Sequence, residues 1–204
     1  MASSTNPITF QNGLPPQEFF SAAWASEPLT AALQGTNIPF VLPGPDEDIS
    51  IVAIRDGEVI GQCSANRAQK HWNHIEILDV NAQNTSTQVF ARIHRLAVEV
   101  EIKYFLANGE LEKSAFHSAG IAVLPGNRGE GLGVAMRERQ IQVCREHGAS
   151  FLFCETTNRY SAATVEQCGF VRLAQFQYAL LAEMFNHPPL ASIEDQFTVW
   201  CLRI

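Results

Sequence analysis

A mixed α/β fold follows from three features of the chain. Two short strand-like runs flank Asp56-Gly57, a third runs into a glycine-rich loop that opens a helix, and two more close the chain beyond a further short helix. Strands before and after helices, with an antiparallel hairpin at the front, mean a mixed sheet covered by helices.

In chain order, Ile8 to Phe10 reads as a short first strand and residues 15–25 as a helix. Ser26-Glu27-Pro28-Leu29 restarts a helix, because Ser26 suits an N-cap and proline is tolerated in a first turn. Residues 37–48 are rich in proline and glycine and form a loop. Residues 49–54 and 59–63 pair as a hairpin around Asp56-Gly57, a strong two-residue turn signal. Residues 66–88 are polar and read as an irregular connection, longer than most and so functional or mobile. Phe90, Ile93, Ala97, Val100 and Tyr104 then recur at helical spacing from Gln88 to Leu106. Ala115 to Val123 is a strand, Leu132 to His147 a helix and Ser150 to Cys154 a buried strand. Tyr160 to Cys168 is a short helix ended by Gly169. Val171 to Tyr178 and Phe197 to Ile204 are the closing strands, separated by a proline-rich stretch over 186–191.

The 204 residues suit one well-filled core, and a single domain over 1–204 is expected. Hydrophobic content of 46% with 17% charged residues excludes a disordered chain. No apolar run approaches the roughly 18 residues of a membrane span, and the first residues carry neither a basic nor an apolar segment. Five cysteines without a Cys-x-x-Cys pair fit a reducing, cytoplasmic compartment. A formal charge of −7 argues against nucleic acid and is compatible with a cationic amine substrate.

The function is written most densely in Val123-Leu-Pro-Gly-Asn-Arg128-Gly129-Glu-Gly131-Leu132-Gly133-Val134. Glycines let the backbone turn tightly and leave N–H groups uncovered at a helix N-terminus, whose dipole favours a pyrophosphate. A P-loop requires Gly-Lys-Ser/Thr after its second glycine, and Gly131 is followed by Leu132. A dinucleotide fingerprint requires Gly-x-Gly-x-x-Gly, which 129-131-133 does not supply. Arg128-x-x-Gly131-x-Gly133 after a strand ending in Val-x-Pro instead resembles the coenzyme A loop of the GNAT superfamily of N-acetyltransferases. The resemblance spans most of the chain. It implies a central sheet whose two parallel strands splay apart, with acetyl-CoA as co-substrate in the opening. It also implies coenzyme contacts from Ile121, Val123, Arg128, Gly129, Gly131, Leu132, Gly133, Val134 and Asn158.

A second pattern, Asn158-Arg-Tyr160-Ser161-Ala162 through Cys168-Gly169-Phe170, sharpens the likeness. Common family members carry, four residues before Gly-Phe, a tyrosine that protonates the leaving thiolate, and here that position is Val165. The insect arylalkylamine (dopamine) N-acetyltransferases also lack that tyrosine and share the Tyr-Ser-Ala run. They carry an acid-Glu-Pro-Leu motif that Ser26-Glu27-Pro28-Leu29 resembles, with serine in place of the acid. By that resemblance Glu27 is the general base.

Transfer to an amine needs such a base, because an ammonium of pKa near 10 lies about 4 kcal/mol from its reactive form at neutral pH. A backbone N–H near Val123 is placed to hold the developing oxyanion. Ser161 can donate to the thiolate and Thr157 can assist, although both residue types also cap and turn helices. His117 is the second candidate for the base, against a structural role in its strand. Cys168 reads as a small core side chain rather than a nucleophile. His71 and His74 lack the further ligands of a zinc site, so no metal is expected. Trp24, Trp72 and Phe90 are either core or the lining of an aromatic acceptor pocket, which residues 66–106 would shape. The expected acceptor is a small primary amine, an arylalkylamine before a polyamine or a peptide. The alternative from another class is a coenzyme-binding sensor without catalysis, which Val165 would favour.

Overall fold

The computed structural model describes residues 6–16, 19, 28–33, 45–81, 85–108 and 114–204. One seven-stranded sheet runs through them, in the order β1-β2-β3-β4-β5-β7-β6. Its strands are β1 (Thr9–Asn12), β2 (Ile51–Arg55), β3 (Glu58–Arg67), β4 (Ser114–Val123), β5 (Ala149–Thr156), β6 (Val171–Gln177) and β7 (Gln196–Arg203). The helices are α1 (Pro28–Leu33), α2 (Ala68–Asn81), α3 (Thr85–Asn108), α4 (Leu132–Glu146), α5 (Arg159–Gln167) and α6 (Tyr178–Met184). Neighbouring strands are antiparallel, save β4 and β5, which are parallel. A parallel pair needs a crossover, and α4 supplies it.

Local chemistry sets most of these elements. Asp56 and Gly57 both have positive φ, 56° and 81°, the backbone of a type I′ hairpin turn. The Asn158 side chain accepts hydrogen bonds from the N–H groups of Tyr160 and Ser161 and so caps α5. Gly169, at φ 84°, ends the following turn.

Three expectations are corrected. Residues 68–81 form a helix, not an irregular connection, and α3 begins at Thr85 rather than Gln88. Ala68, His71, Trp72 and Ile75 are the buried side of α2, at helical spacing, but a histidine among them masks the apolar period. The run from Tyr178 turns into α6, which buries Tyr178 and Leu181. The helix expected over 15–25 falls largely outside the described residues.

The sheet is covered on both faces. On one, α4 and α5 close a core of Ile51, Phe116, Met136, Leu152, Val165 and Trp200. On the other, α1, α3 and α6 pack over Phe197 and Val199. There α2 and α3 also pack over Phe151 and Phe153. β7 lies between β5 and β6 with both faces covered, so Thr198 and Trp200 are buried along with Phe197 and Val199. Its alternation therefore distinguishes two interior faces rather than inside from outside.

Candidate active site

The glycine loop is built as a cradle for an anion. Pro125–Asn127 makes a single 3₁₀ turn, and Gly131, at φ 76°, is the N-cap residue of α4. Helix geometry leaves the N–H groups of Leu132, Gly133 and Val134 without an intrahelical acceptor. Among the described residues, a Cβ built on Gly126, Gly129 or Gly131 would meet nothing within 4 Å, so that face of the loop has room for a ligand. At Gly133 the same Cβ would lie 3.6 Å from Thr164 Oγ1, where α4 passes α5. The Arg128 Nε–H donates to the Val123 carbonyl at 2.9 Å, tying the loop to the end of β4. Arg55 braces it from β2, donating to Asn127 Oδ1 at 3.0 Å and pairing with Glu130 at 2.6 Å.

The opening next to this loop follows from strand register. β4 and β5 pair only as far as Ser118 and Cys154, although β4 continues to Val123 and β5 to Thr156. Beyond that pair the parallel strands part, which is the expected splay. Against β3, Ser64 faces Gly120 while Ala65 faces Ser118, so Ala119 is an extra residue, a β-bulge. The bulge exchanges the faces of the strand: Phe116 lies on the α4 side before it, and Ile121 and Val123 lie there after it. The Leu124 N–H donates to Ile60, so strand alternation turns the Val123 N–H and carbonyl toward the splay. The residues fit the pyrophosphate and extended arm of acetyl-CoA: donors at the helix start and, beside them, the β4 edge that β5 leaves beyond Ser118.

The α5 residues are tied to its cap. The Ser161 hydroxyl donates to the Asn158 carbonyl at 2.9 Å and lies 3.3 Å from Asn158 Oδ1. The Thr157 carbonyl accepts from the Tyr178 hydroxyl at 3.2 Å. Val165, at the family's tyrosine position, is fully buried in the apolar core, so no proton donor stands there. Cys168 is half-buried, and burial raises its thiol, as suits a packing role. Glu27, Ser26 and Trp24 lie outside the described residues. Trp72 is core, with its indole N–H donating to Glu101 at 2.7 Å.

On the opposite face of β4 stands a group that sequence reasoning did not assemble. His117 of β4, Glu155 of β5, His71 of α2, and His94 and Glu101 of α3 converge in the interior. His117 Nε2 lies 2.6 Å from Glu155 Oε2 and 3.6 Å from Glu101 Oε1. Glu155 Oε1 lies 3.4 Å from His94 Nδ1 and 3.6 Å from His71 Nε2. The His71 and His117 rings stack 3.5 Å apart, 9° from parallel. Burial alone would lower His117, but Glu155 and Glu101 outweigh it and hold the ring above its ordinary 6.5. Burial likewise works to raise Glu155, yet His117 and its other imidazole neighbours keep it well below 4.5. Burial pushes Glu101 up to about 8, and burial with the neighbouring His117 pushes His71 down to about 3.

Ligand atoms of His71, His117 and Glu155 lie within 4.8 Å of one another, a separation compatible with a metal ion. An imidazole lone pair lies in its ring plane, however. Two planes 3.5 Å apart and nearly parallel have no common point about 2 Å from both nitrogens. In this arrangement the group is suited to holding protons.

The sequence matches the model of the family described as "Acetyltransferase (GNAT) family" over residues 16–170. Among curated proteins none matches significantly. Among solved structures, the fold is similar to a Drosophila melanogaster polyamine N-acetyltransferase that forms N-acetylagmatine. The TM-score is 0.74 at 20% identity, over 97% of this chain and 100% of that one. It is similar to arylalkylamine N-acetyltransferase 2 from Aedes aegypti, with TM-score 0.73 at 18% identity over 98% and 100% of the two chains. It is also similar to the C-terminal condensation domain of Ebony in complex with beta-alanyl-dopamine, with TM-score 0.64 at 14% identity over 98% and 100%. At such identities the likeness is one of fold.

Proposed function

The chain belongs to the GNAT family of acetyltransferases, and from that premise we propose that it acetylates small primary amines, arylalkylamines first among them. The observation that carries the reading is the β4–β5 splay opening beside the glycine loop at the start of α4. Acetyl-CoA supplies the acetyl group as a thioester. The chain's own part is to bind and orient it: N–H groups of 132–134 for the pyrophosphate, Arg128 bracing the loop, and the Val123 N–H for charge developing on the carbonyl oxygen. Transfer is direct, from thioester to amine, since Cys168, whose Sγ lies 4.0 Å from the Val134 carbonyl of the loop helix, is a packed thiol that burial raises.

Glu27 is the proposed base for the acceptor ammonium. The helix that follows it, α1, buries Leu29 and Leu33 against α3 and β7, on the face of the sheet that carries His94 and Glu155. Ser161, with Thr157 beside it, is proposed to steady the leaving thiolate. To do so its hydroxyl must turn from the Asn158 carbonyl. The aromatic-amine preference is supported by Tyr160-Ser161-Ala162 and Glu27-Pro28-Leu29, and by neighbours whose names concern arylalkylamines and a dopamine conjugate. A polyamine acceptor has its own support in the formal charge of −7 and in the similar Drosophila enzyme.

Mass spectrometry with acetyl-CoA and a panel of tyramine, tryptamine, dopamine, spermidine, agmatine and a lysine peptide tests both readings. Product from the aromatic amines alone is the expected result. Product confined to spermidine, agmatine or peptide would replace the acceptor, and none from any amine, with acetyl-CoA bound, would favour a sensor.

A further inference from the structure

The acceptor nitrogen loses two protons on the way from ammonium to amide, and Glu27 accounts for one of them. We propose that Glu155 and His117 form a carboxylate–imidazole dyad that takes up one of those two protons, with His117 Nδ1 as the receiving atom. The proposal rests on the amine-acetylating function argued above.

Position is the first ground. Glu155 is the first β5 residue beyond the last β4–β5 pair, Ser118 with Cys154, so the dyad stands at the root of the splay. His117 lies two residues before the Ala119 bulge that turns β4 outward. Hydrogen bonding is the second. At 2.6 Å the contact between His117 Nε2 and Glu155 Oε2 requires a proton, which the ring donates. In a neutral ring that tautomer leaves the lone pair on Nδ1. Among the described residues Nδ1 is buried and has no hydrogen-bond partner. A carboxylate on one ring nitrogen and a free lone pair on the other is the arrangement of an oriented imidazole base.

The step balances without any further reagent. One N–H bond of the acceptor breaks, its electron pair stays on nitrogen, and an Nδ1–H bond forms on His117. The resulting imidazolium lies against Glu155 and, 3.6 Å away, Glu101. His117 is 1% exposed, so the proton arrives through water rather than by direct contact. His71 stacks on the ring and holds its plane, and Trp72 holds Glu101 in place through its indole N–H.

Among the described residues, the charged and titratable groups facing the dyad come from several elements around it. They are His71 from α2, His94 and Glu101 from α3, and Arg137 from α4 across the sheet. Cys154 of β5 and Cys201 of β7 adjoin the carboxylates. The carboxylates dominate, and they hold the ring above 6.5 against burial and Arg137. The neutral ring is the active form, so activity rises as pH climbs through that titration.

The test is the pH profile of kcat/KM for the wild type, His117→Gln and Glu155→Gln, with acetyl-CoA affinity measured alongside. Histidine-labelled NMR follows the rings of the wild type directly. The expected result is a limb above pH 6.5 that coincides with titration of the His117 ring. In His117→Gln that limb is lost and turnover falls about 100-fold, with acetyl-CoA affinity retained. His147→Gln, at the exposed end of α4, keeps the wild-type profile. A limb that survives in His117→Gln would overturn the dyad. So would a His117 ring that does not titrate with the wild-type limb, and that measurement stands even where the variants fail to fold. A wild-type protein that acetylates no amine would overturn the function itself, and with it the dyad's part in it.

Discussion

Gly131 and Gly133 are two residues apart in one loop and carry different constraints. Gly131 holds φ 76°, and a Cβ there would meet no atom within 4 Å, so the demand is on the backbone alone. Gly131→Ala is expected to cost about 1–2 kcal/mol and to weaken acetyl-CoA binding by disturbing the N–H groups after it. Gly133 is helical, and its added methyl would meet Thr164 and Ile121 at ordinary contact distances. Gly133→Ala is expected to leave binding intact and to raise helix stability by up to about 1 kcal/mol. Titration calorimetry on the two variants separates the cases; equal losses at both would mean that contact, not backbone angle, governs the loop. Glu27→Gln belongs to this scale too. It should lower turnover at neutral pH with little change in acetyl-CoA affinity, and unchanged turnover would remove Glu27 from the chemistry.

Among the elements, α5 depends on a single capping side chain. It is short, Arg159–Gln167, and the Asn158 cap satisfies the N–H groups of Tyr160 and Ser161. Asn158→Ala is expected to cost about 1 kcal/mol, or about 2–4 °C in melting temperature. The same substitution frees the region around Ser161, whose hydroxyl lies between the Asn158 carbonyl and side chain. Turnover should therefore fall along with stability, while Asn158→Asp, which keeps the cap, should restore the melting temperature. A melt unchanged in Asn158→Ala would mean that packing of Val165 holds the helix without its cap.

At the scale of the whole molecule, the buried His–Glu group sets how stability responds to pH. His71 is held down to about 3 from 6.5, so within that window the unfolded chain binds a proton that the folded chain does not, and acid destabilises. Glu101 is raised from 4.5 to about 8, so there the folded chain keeps a proton that the unfolded chain releases, and alkali destabilises. The two slopes oppose one another between 4.5 and 6.5. His117, held above 6.5, adds to the alkaline loss, and Glu155, held below 4.5, adds to the acid loss. Thermal melts should show a broad maximum between about pH 4.5 and 6.5. Glu101→Gln should flatten the alkaline arm and leave the acid arm. A wild-type maximum at pH 8 would contradict this balance.

The family fold, the hairpin at Asp56-Gly57, the anion loop and the short helix α5 with its glycine stop were legible in the sequence, whereas its Asn158 cap was not. Each legible feature depends on a demand confined to a few neighbouring residues: a positive φ, an uncovered N–H, a helix stop. Helix α2 was not, because one of its buried positions is His71, and periodicity counts only apolar side chains. The early Ser26-Glu27-Pro28-Leu29 motif was read as a helix restart from its residues, and Glu27 as a base from the resemblance. Its helix restart is visible from Pro28 onward, and Glu27 itself lies outside the described residues. His117 was weighed as a base in isolation, and no local spacing joins it to His71, His94, Glu101 and Glu155. Their meeting is decided by the register of β4 on β5 and by the packing of α2 and α3 over that pair. The bulge at Ala119 is likewise invisible locally, since it is an offset between two strands rather than a property of either. By itself the sequence determined how the chain turns and where it can hold an anion. Only the tertiary structure decided which titratable groups share one desolvated space, because their protonation depends on distances between elements far apart in the chain.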